Sequence, residues 1–319
     1  MPRPRLLVTR RLPQPVEAHF RAHYDVDLNA SDAPMERAAL IAAMTRCDAI
    51  CPTITDRFDA EILGTPGATV KILANFGAGH EHIDLGAAQR AGIAVTNTPD
   101  VLTDATADLA ILLMLMATRR AGEGERELRS GKWTGWRPTH MIGQGLNGKV
   151  LGLVGYGRIA RATAKRARDG FGMQIAYHGR REATDAEGAD YHPTLASLMA
   201  AADIVSLHVP GGAETRHMID TAALAAAKPG QVIVNTARGS AIDEAALAAA
   251  LAEGRIAAAG LDVYEREPAV HPALLALENV VLLPHLGSAT IETRTAMGMR
   301  AATNLEAFFA GRELPDRVA

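Results

Sequence analysis

The sequence predicts an α/β fold built on parallel sheet, and three observations carry that reading. Short runs rich in β-branched and aliphatic residues recur along the whole chain. Alanine-rich stretches of helical period separate them, as in successive βαβ units. Several runs are continuously apolar rather than alternating, which suits strands covered by helices on both faces. At 319 residues the chain has room for about two domains of ~150 residues each.

Taken in order, strands are expected at 6–9, 49–53, 71–74 and 94–97. A helix follows at about 103–118, after Thr98-Pro99, with Asp100 and Asp104 near its start and Arg119-Arg120 at its end. That placement of charge complements the helix dipole. Between 122 and 149 the pattern breaks. This segment holds both tryptophans, Trp133 and Trp136, and reads as an excursion between two α/β units or an arm that packs on a neighbouring subunit. The alternation resumes with strands at 150–154, 174–178, 204–209, 232–235, 258–262 and 281–284. Stretches such as 245–252 are strong helix formers.

Composition narrows the function classes. Hydrophobic residues make up 48% and charged residues 22%, a globular balance. The formal net charge of -3 lacks the basic footprint of a nucleic-acid or anionic-membrane binder. The longest apolar run, 109–117, is about half the ~20 residues a membrane span needs. Cys47 and Cys51 lie in one apolar stretch and read as reduced core residues rather than a disulfide framework. The start, Met1-Pro-Arg-Pro-Arg-Leu-Leu-Val, has no sustained apolar region, so a cytoplasmic location is expected.

The strongest local signal is Val150-Leu-Gly-Leu-Val-Gly-Tyr-Gly-Arg-Ile-Ala160. An apolar strand runs into Gly155-x-Gly157-x-x-Ala160, and a helical stretch follows. Gly155 permits the tight turn and Gly157 lets a pyrophosphate approach the backbone. Ala160 keeps the helix close to the sheet, and the helix N-terminus supplies N–H groups to the phosphates. This predicts dinucleotide binding. The next strand, 174–178, ends in His178 and continues Gly179-Arg180-Arg181. An NAD site usually has a carboxylate there for the ribose 2′-hydroxyl. Two guanidinium groups suit a 2′-phosphate instead, so NADP(H) is preferred and NAD(H) stays open, with Glu182 or Asp185 as a later acid.

Three further segments each put a charged or titratable side chain just past a strand. They are Arg238 in Asn-Thr-Ala-Arg-Gly-Ser, Glu267 in Leu-Asp-Val-Tyr-Glu-Arg-Glu-Pro, and His285 in Pro-His-Leu-Gly-Ser. In open α/β sheets the ligand crevice lies outside the carboxyl ends of the strands, where all three can converge. Taken singly, each has a plain explanation: a surface cation, a helix-start carboxylate, a satisfied loop histidine.

Together these motifs resemble the D-2-hydroxyacid dehydrogenase family over nearly the whole chain. The Tyr-His-Gly-Arg-Arg strand end is most similar to its glyoxylate/hydroxypyruvate reductase branch. The resemblance implies two Rossmann-like domains with parallel sheets flanking a cleft, the cofactor domain being inserted in the chain. The outer, substrate domain would comprise 1–97 and 287–319, and the dinucleotide-binding domain 98–286, with 122–149 as a dimerisation arm. A homodimer is expected on that basis.

The family resemblance also implies roles. His285 would be the proton donor, Glu267 would orient its ring, and Arg238 would hold the substrate carboxylate of a small 2-keto or 2-hydroxy acid. Phe76 and Gly77 in Asn75-Phe76-Gly77-Ala78-Gly79 would offer backbone N–H groups to that carboxylate, and Phe76 is bulkier than the usual residue. Arg158 and Ile159 would meet the pyrophosphate, and Val209, Pro210 and Thr215 after the 204–209 strand would be further cofactor contacts. Thr236, Asp262, Gly287 and Thr106 would lie near the nicotinamide. Two other readings stay open: an NAD-dependent D-lactate-type enzyme, and a non-catalytic dinucleotide sensor of the same fold. No metal is expected, because His80 and His82 lack a third ligand at suitable spacing and hydride transfer needs none. His208 reads as a hydrogen-bonded core residue.

Overall fold

A computed structural model describes residues 3–319. The chain divides into two compact units, Met1–Leu102 with Ala289–Ala319, and Thr103–Ser288.

The first unit has five strands: β1 (Arg5–Val8), β2 (Asp25–Leu28), β3 (Ala49–Cys51), β4 (Ile72–Ala74) and β5 (Ala94–Thr96). Its helices are α1 (Gln14–His23), α2 (Arg37–Arg46), α3 (Ala60–Leu63) and α4 (Leu85–Arg90), and the returning chain adds α12 (Ile291–Phe309). The sheet order is β2-β1-β3-β4-β5, all parallel. Because side chains alternate along a strand, Leu6, Val8, Ala49, Cys51, Ile72 and Ala74 face one core with Val16 and Phe20 of α1 and Leu305 of α12. Leu7, Ile50 and Leu73 face the other, with Met44 of α2, Ile62 of α3 and Ala88 of α4. Phe20 is fully buried, so truncation to alanine would cost ~3–5 kcal/mol. Cys47 and Cys51 are both buried and free.

The second unit opens with α5 (Thr103–Thr118) and α6 (Ala121–Arg129). Seven strands follow: β6 (Val150–Val154), β7 (Gln174–His178), β8 (Asp190–His192), β9 (Ile204–Leu207), β10 (Val232–Asn235), β11 (Ala258–Leu261) and β12 (Val280–Leu282). The remaining helices are α7 (Arg158–Phe171), α8 (Leu195–Ala201), α9 (Thr221–Ala225), α10 (Glu244–Ala252) and α11 (Pro272–Leu275). The sheet order is β12-β11-β10-β9-β6-β7-β8, again parallel throughout. Strand succession reverses at β6/β9, which makes that junction the topological switch point where a ligand is expected. Helices α5 and α7 cover one face through Leu113, Met114, Ala160 and Ala164. Helices α8 to α11 cover the other through Leu198, Leu224, Leu247 and Leu274.

The sequence does not predict two of these strands. Both β2 and β8 are sheet edges, and each is exposed or half-buried at every position, so neither carries a continuous apolar run. Helix α6 also occupies the start of the irregular segment. It buries none of its residues, so no apolar stripe announces it.

Candidate active site

All three chemically suggestive side chains belong to the second unit, past the ends of β10, β11 and β12. The best-defined contact is between His285 and Glu267. Nδ1 of His285 lies 2.8 Å from Oε2 of Glu267, and each side chain is about one-third exposed. The other carboxylate oxygen, Oε1, accepts the Tyr264 N–H at 3.0 Å, which fixes the plane of the carboxylate. Burial pushes the Glu267 carboxyl up, but the His285 hydrogen bond and charge, the Tyr264 N–H and the Arg238 charge outweigh it. The group is held below the usual glutamate range and stays ionised at neutral pH.

Asp262 holds the histidine loop in place. Its carboxylate is fully buried and accepts the N–H groups of Leu286 at 2.6 Å and Gly287 at 2.8 Å. Its carbonyl accepts the His285 N–H at 2.9 Å. His285 itself takes a left-handed φ of 56, a conformation that this clasp sustains. Burial raises the Asp262 carboxyl despite the two N–H donors. On the far side, Thr106 of α5 donates its hydroxyl to the Gly287 carbonyl at 3.2 Å.

Arg238 follows β10 and begins a short 3-10 turn, Gly239–Ala241. The Asn235 amide donates to the Arg238 carbonyl at 2.9 Å and its Oδ1 accepts the Ala237 N–H at 3.0 Å. Gly239 makes the turn possible: a Cβ there would sit 1.8 Å from the Tyr264 carbonyl carbon. This close approach brings the Arg238 turn against the segment that carries Glu267.

The dinucleotide fingerprint sits at the switch point. Gly155 has φ 86, and a Cβ on it would lie 2.8 Å from the His208 carbonyl oxygen, so glycine is required on both counts. By contrast, a Cβ on Gly157 would meet nothing within 4 Å. Open space at that atom, beside the first turn of α7 with Arg158 and Ile159, is what an approaching pyrophosphate needs. Across β9, Val209 and Pro210 lead into a turn closed by Thr215, whose hydroxyl donates to the Pro210 carbonyl at 2.7 Å. Thr236 is buried, and its Oγ1 has no partner among the described residues. An orphaned hydroxyl beyond β10 fits a polar ring amide. These residues therefore fit a nicotinamide dinucleotide.

At the end of β7, His178 stands where the ribose-binding acid would be, and its Nδ1 is 2.9 Å from the His192 carbonyl. Arg180 and Arg181 are exposed. Nearby Asp185 accepts the Glu187 N–H and Glu182 is exposed. His208 bonds the Ser206 hydroxyl at 2.9 Å, and burial pushes it down to about 4, so it is a neutral structural residue.

One expectation needs correction. In the first unit, the Phe76 N–H donates to the Pro52 carbonyl at 2.8 Å and the Gly77 N–H to the Asn75 carbonyl at 3.0 Å. Neither is open to a carboxylate. The buried Asn75 amide turns the loop by donating to the carbonyls of Gly77 and Gly79, while His82 bonds its Oδ1 at 3.0 Å. Among the described residues, the loop's N–H groups without a backbone acceptor are those of Ala78 and Gly79. The Phe76 ring packs against the core that includes Ile72 and Ala74.

Residues 111–287 match the model for the D-isomer specific 2-hydroxyacid dehydrogenase, NAD binding domain. The chain belongs to the D-isomer specific 2-hydroxyacid dehydrogenase family. As a member, it is an NAD(P)-dependent oxidoreductase of small 2-keto and 2-hydroxy acids. A glyoxylate reductase from Thermococcus litoralis is 43% identical, with 99% of this chain and 97% of that protein covered. Among solved structures of this dehydrogenase fold, a glyoxylate reductase from Paecilomyes thermophila superposes with TM-score 0.88 at 37% identity, covering 100% of this chain and 99% of the other. An NADPH-dependent glyoxylate/hydroxypyruvate reductase from Sinorhizobium meliloti, solved with NADP and malonate, gives TM-score 0.88 at 39% identity, covering 99% and 97%. Among the described residues, no helix of this dehydrogenase is long and apolar enough to cross a membrane.

Proposed function

We propose that this dehydrogenase works as an NADPH-preferring reductase of glyoxylate, hydroxypyruvate or a similar small 2-keto acid, giving the D-2-hydroxy acid. The observation that carries the reading is the 2.8 Å contact between His285 and Glu267, in the unit that also presents the Gly155-x-Gly157 turn. The nicotinamide, when bound, supplies the hydride. His285 donates a proton from Nε2 to the carbonyl oxygen as that oxygen gains charge, and takes it back in the reverse direction. Glu267 keeps the ring oriented by accepting from Nδ1. Arg238 pairs with the substrate carboxylate and polarises the adjacent carbonyl. In the first unit, Ala78 and Gly79 offer two N–H groups to an anion.

The cofactor preference rests on Arg180 and Arg181, two exposed guanidinium groups after a strand that ends in histidine rather than a carboxylate. Sequence similarity to an NADPH-dependent reductase supports it. Exposed apolar side chains at Leu128, Trp133, Trp136 and Ile142 support a dimer made through 122–149, and we place the enzyme in the cytoplasm. Steady-state rates with glyoxylate, hydroxypyruvate, pyruvate and phenylpyruvate, each with NADPH and NADH, test the reading. Turnover of the first two with the higher kcat/KM for NADPH is expected. An NADH preference would overturn the arginine assignment, and cofactor binding without turnover of any keto acid would favour a sensor.

A further inference from the structure

We propose that His19, His23 and Glu306 form a binding site for a borderline divalent cation of the zinc type, on the surface of the first unit and independent of the catalytic residues. One ligand atom from each of the three lies within 4.8 Å of the others. His19 and His23 stand one helical turn apart on α1, where i and i+4 side chains share a face. Glu306 comes from α12, 287 positions after His19 in the chain.

Rigid packing holds the two helices together. Gly298 of α12 allows the close approach, since a Cβ there would come within 2.5 Å of the Val16 side chain on α1. Val16 and Phe20 are buried against Ala301, Ala302 and Leu305. The three polar groups therefore project from fixed backbone, not from loops.

The hydrogen bonds point to ligation rather than to a plain surface ion pair. Nε2 of His19 lies 2.8 Å from Oε1 of Glu306, and that pair alone would be an ordinary contact. The third group changes the reading. Nδ1 of His23 is 2.8 Å from the His19 carbonyl oxygen, an acceptor that makes Nδ1 the donor, so in the neutral ring Nε2 carries the lone pair. A backbone carbonyl bonded in this way is the outer partner that metal-bound histidines commonly have. The centroids of the two imidazole rings are 4.3 Å apart, close enough for both to serve one ion. Bonds of roughly 2.0–2.2 Å to one ion require a contraction within reach of partly exposed side chains, with water completing the shell. Two imidazoles and one carboxylate select zinc, cobalt, nickel or copper over magnesium or calcium.

Binding would staple α1 to α12 and so stabilise the fold of the first unit. The test uses the full chain, stripped with a chelator and then titrated with ZnCl2 by calorimetry. One equivalent bound to this cluster is expected, with Tm raised by roughly 3–5 °C at about ten times the dissociation constant. CoCl2 should give a visible absorption band, and MgCl2 should not move Tm. His19→Ala/His23→Ala should abolish the equivalent, and Glu306→Gln should weaken it about tenfold, while glyoxylate turnover stays at the wild-type value. Unchanged zinc binding in these variants, an equal shift with magnesium, or no binding to the wild-type chain would overturn the proposal. Glu306→Gln is the check should the double variant fail to fold.

Discussion

Nδ1 of His285 and Oε2 of Glu267 are 2.8 Å apart, although the two residues leave different strands of the sheet. The Glu267 carboxylate is anchored at its other oxygen by the Tyr264 N–H. The contact therefore commits Nδ1 of the imidazole to Glu267 and leaves Nε2 free of that carboxylate.

Glu267→Gln tests that relationship. The amide preserves shape but removes the anion and can present the wrong group to Nδ1. The variant should lose about 10²-fold in kcat. Turnover at the wild-type kcat would show that the contact does not govern the reaction.

The cofactor assignment has its own test. Replacing Arg180 or Arg181 with alanine should lower kcat/KM for NADPH by about tenfold each. The NADH value should change less than about twofold, because the 2′-hydroxyl gives those cations nothing to pair with. Equal losses with both cofactors would indicate damage to the turn rather than loss of phosphate recognition.

Gly239→Ala tests the packing that positions Arg238. Its Cβ would sit 1.8 Å from the Tyr264 carbonyl carbon, so backbone must shift. Urea unfolding should show a loss of about 3 kcal/mol, with a raised KM for the keto acid. A midpoint equal to wild type would mean that the turn has slack which the distances do not suggest.

Asp316 gives a pH dependence of stability with a defined sign. Burial pushes its carboxyl up, but the hydrogen bonds from Arg300 and Asn304 and the Arg300 charge leave it below the usual aspartate range. Arg300 reaches it at 2.6 and 2.7 Å. A carboxyl lowered in the folded state contributes stability that is present above its unfolded value of ~4 and is lost as pH falls through the folded value. Asp316→Asn should therefore cost about 3 kcal/mol near neutral pH, and the gap should narrow below pH ~4. A gap independent of pH would remove the charge from the explanation.

The sequence made the buried strands readable and left opaque the two edge strands with no buried position, β2 and β8. Strands such as β10, Val232–Asn235, are buried at every position and announce themselves as apolar runs. The edge strand β2, Asp25–Leu28, alternates exposed and half-buried residues, so composition alone does not separate it from a loop. In the site, Arg238, Glu267 and His285 were visible because motifs end strands there. The support beneath them was less legible. Asn235 lay in plain view within its motif, but its bonds to the Arg238 turn depend on backbone geometry. Which N–H groups of the 75–79 loop remain open depends on the Asn75 side chain and the Pro52 carbonyl, contacts that no local pattern encodes.

The most direct measurement is NADPH-linked glyoxylate reduction by His285→Gln, with NADPH affinity determined on the same preparation. The account predicts a kcat lower by about 10²–10⁴-fold with NADPH affinity unchanged, since the ring acts on the substrate carbonyl. Near wild-type turnover would contradict it.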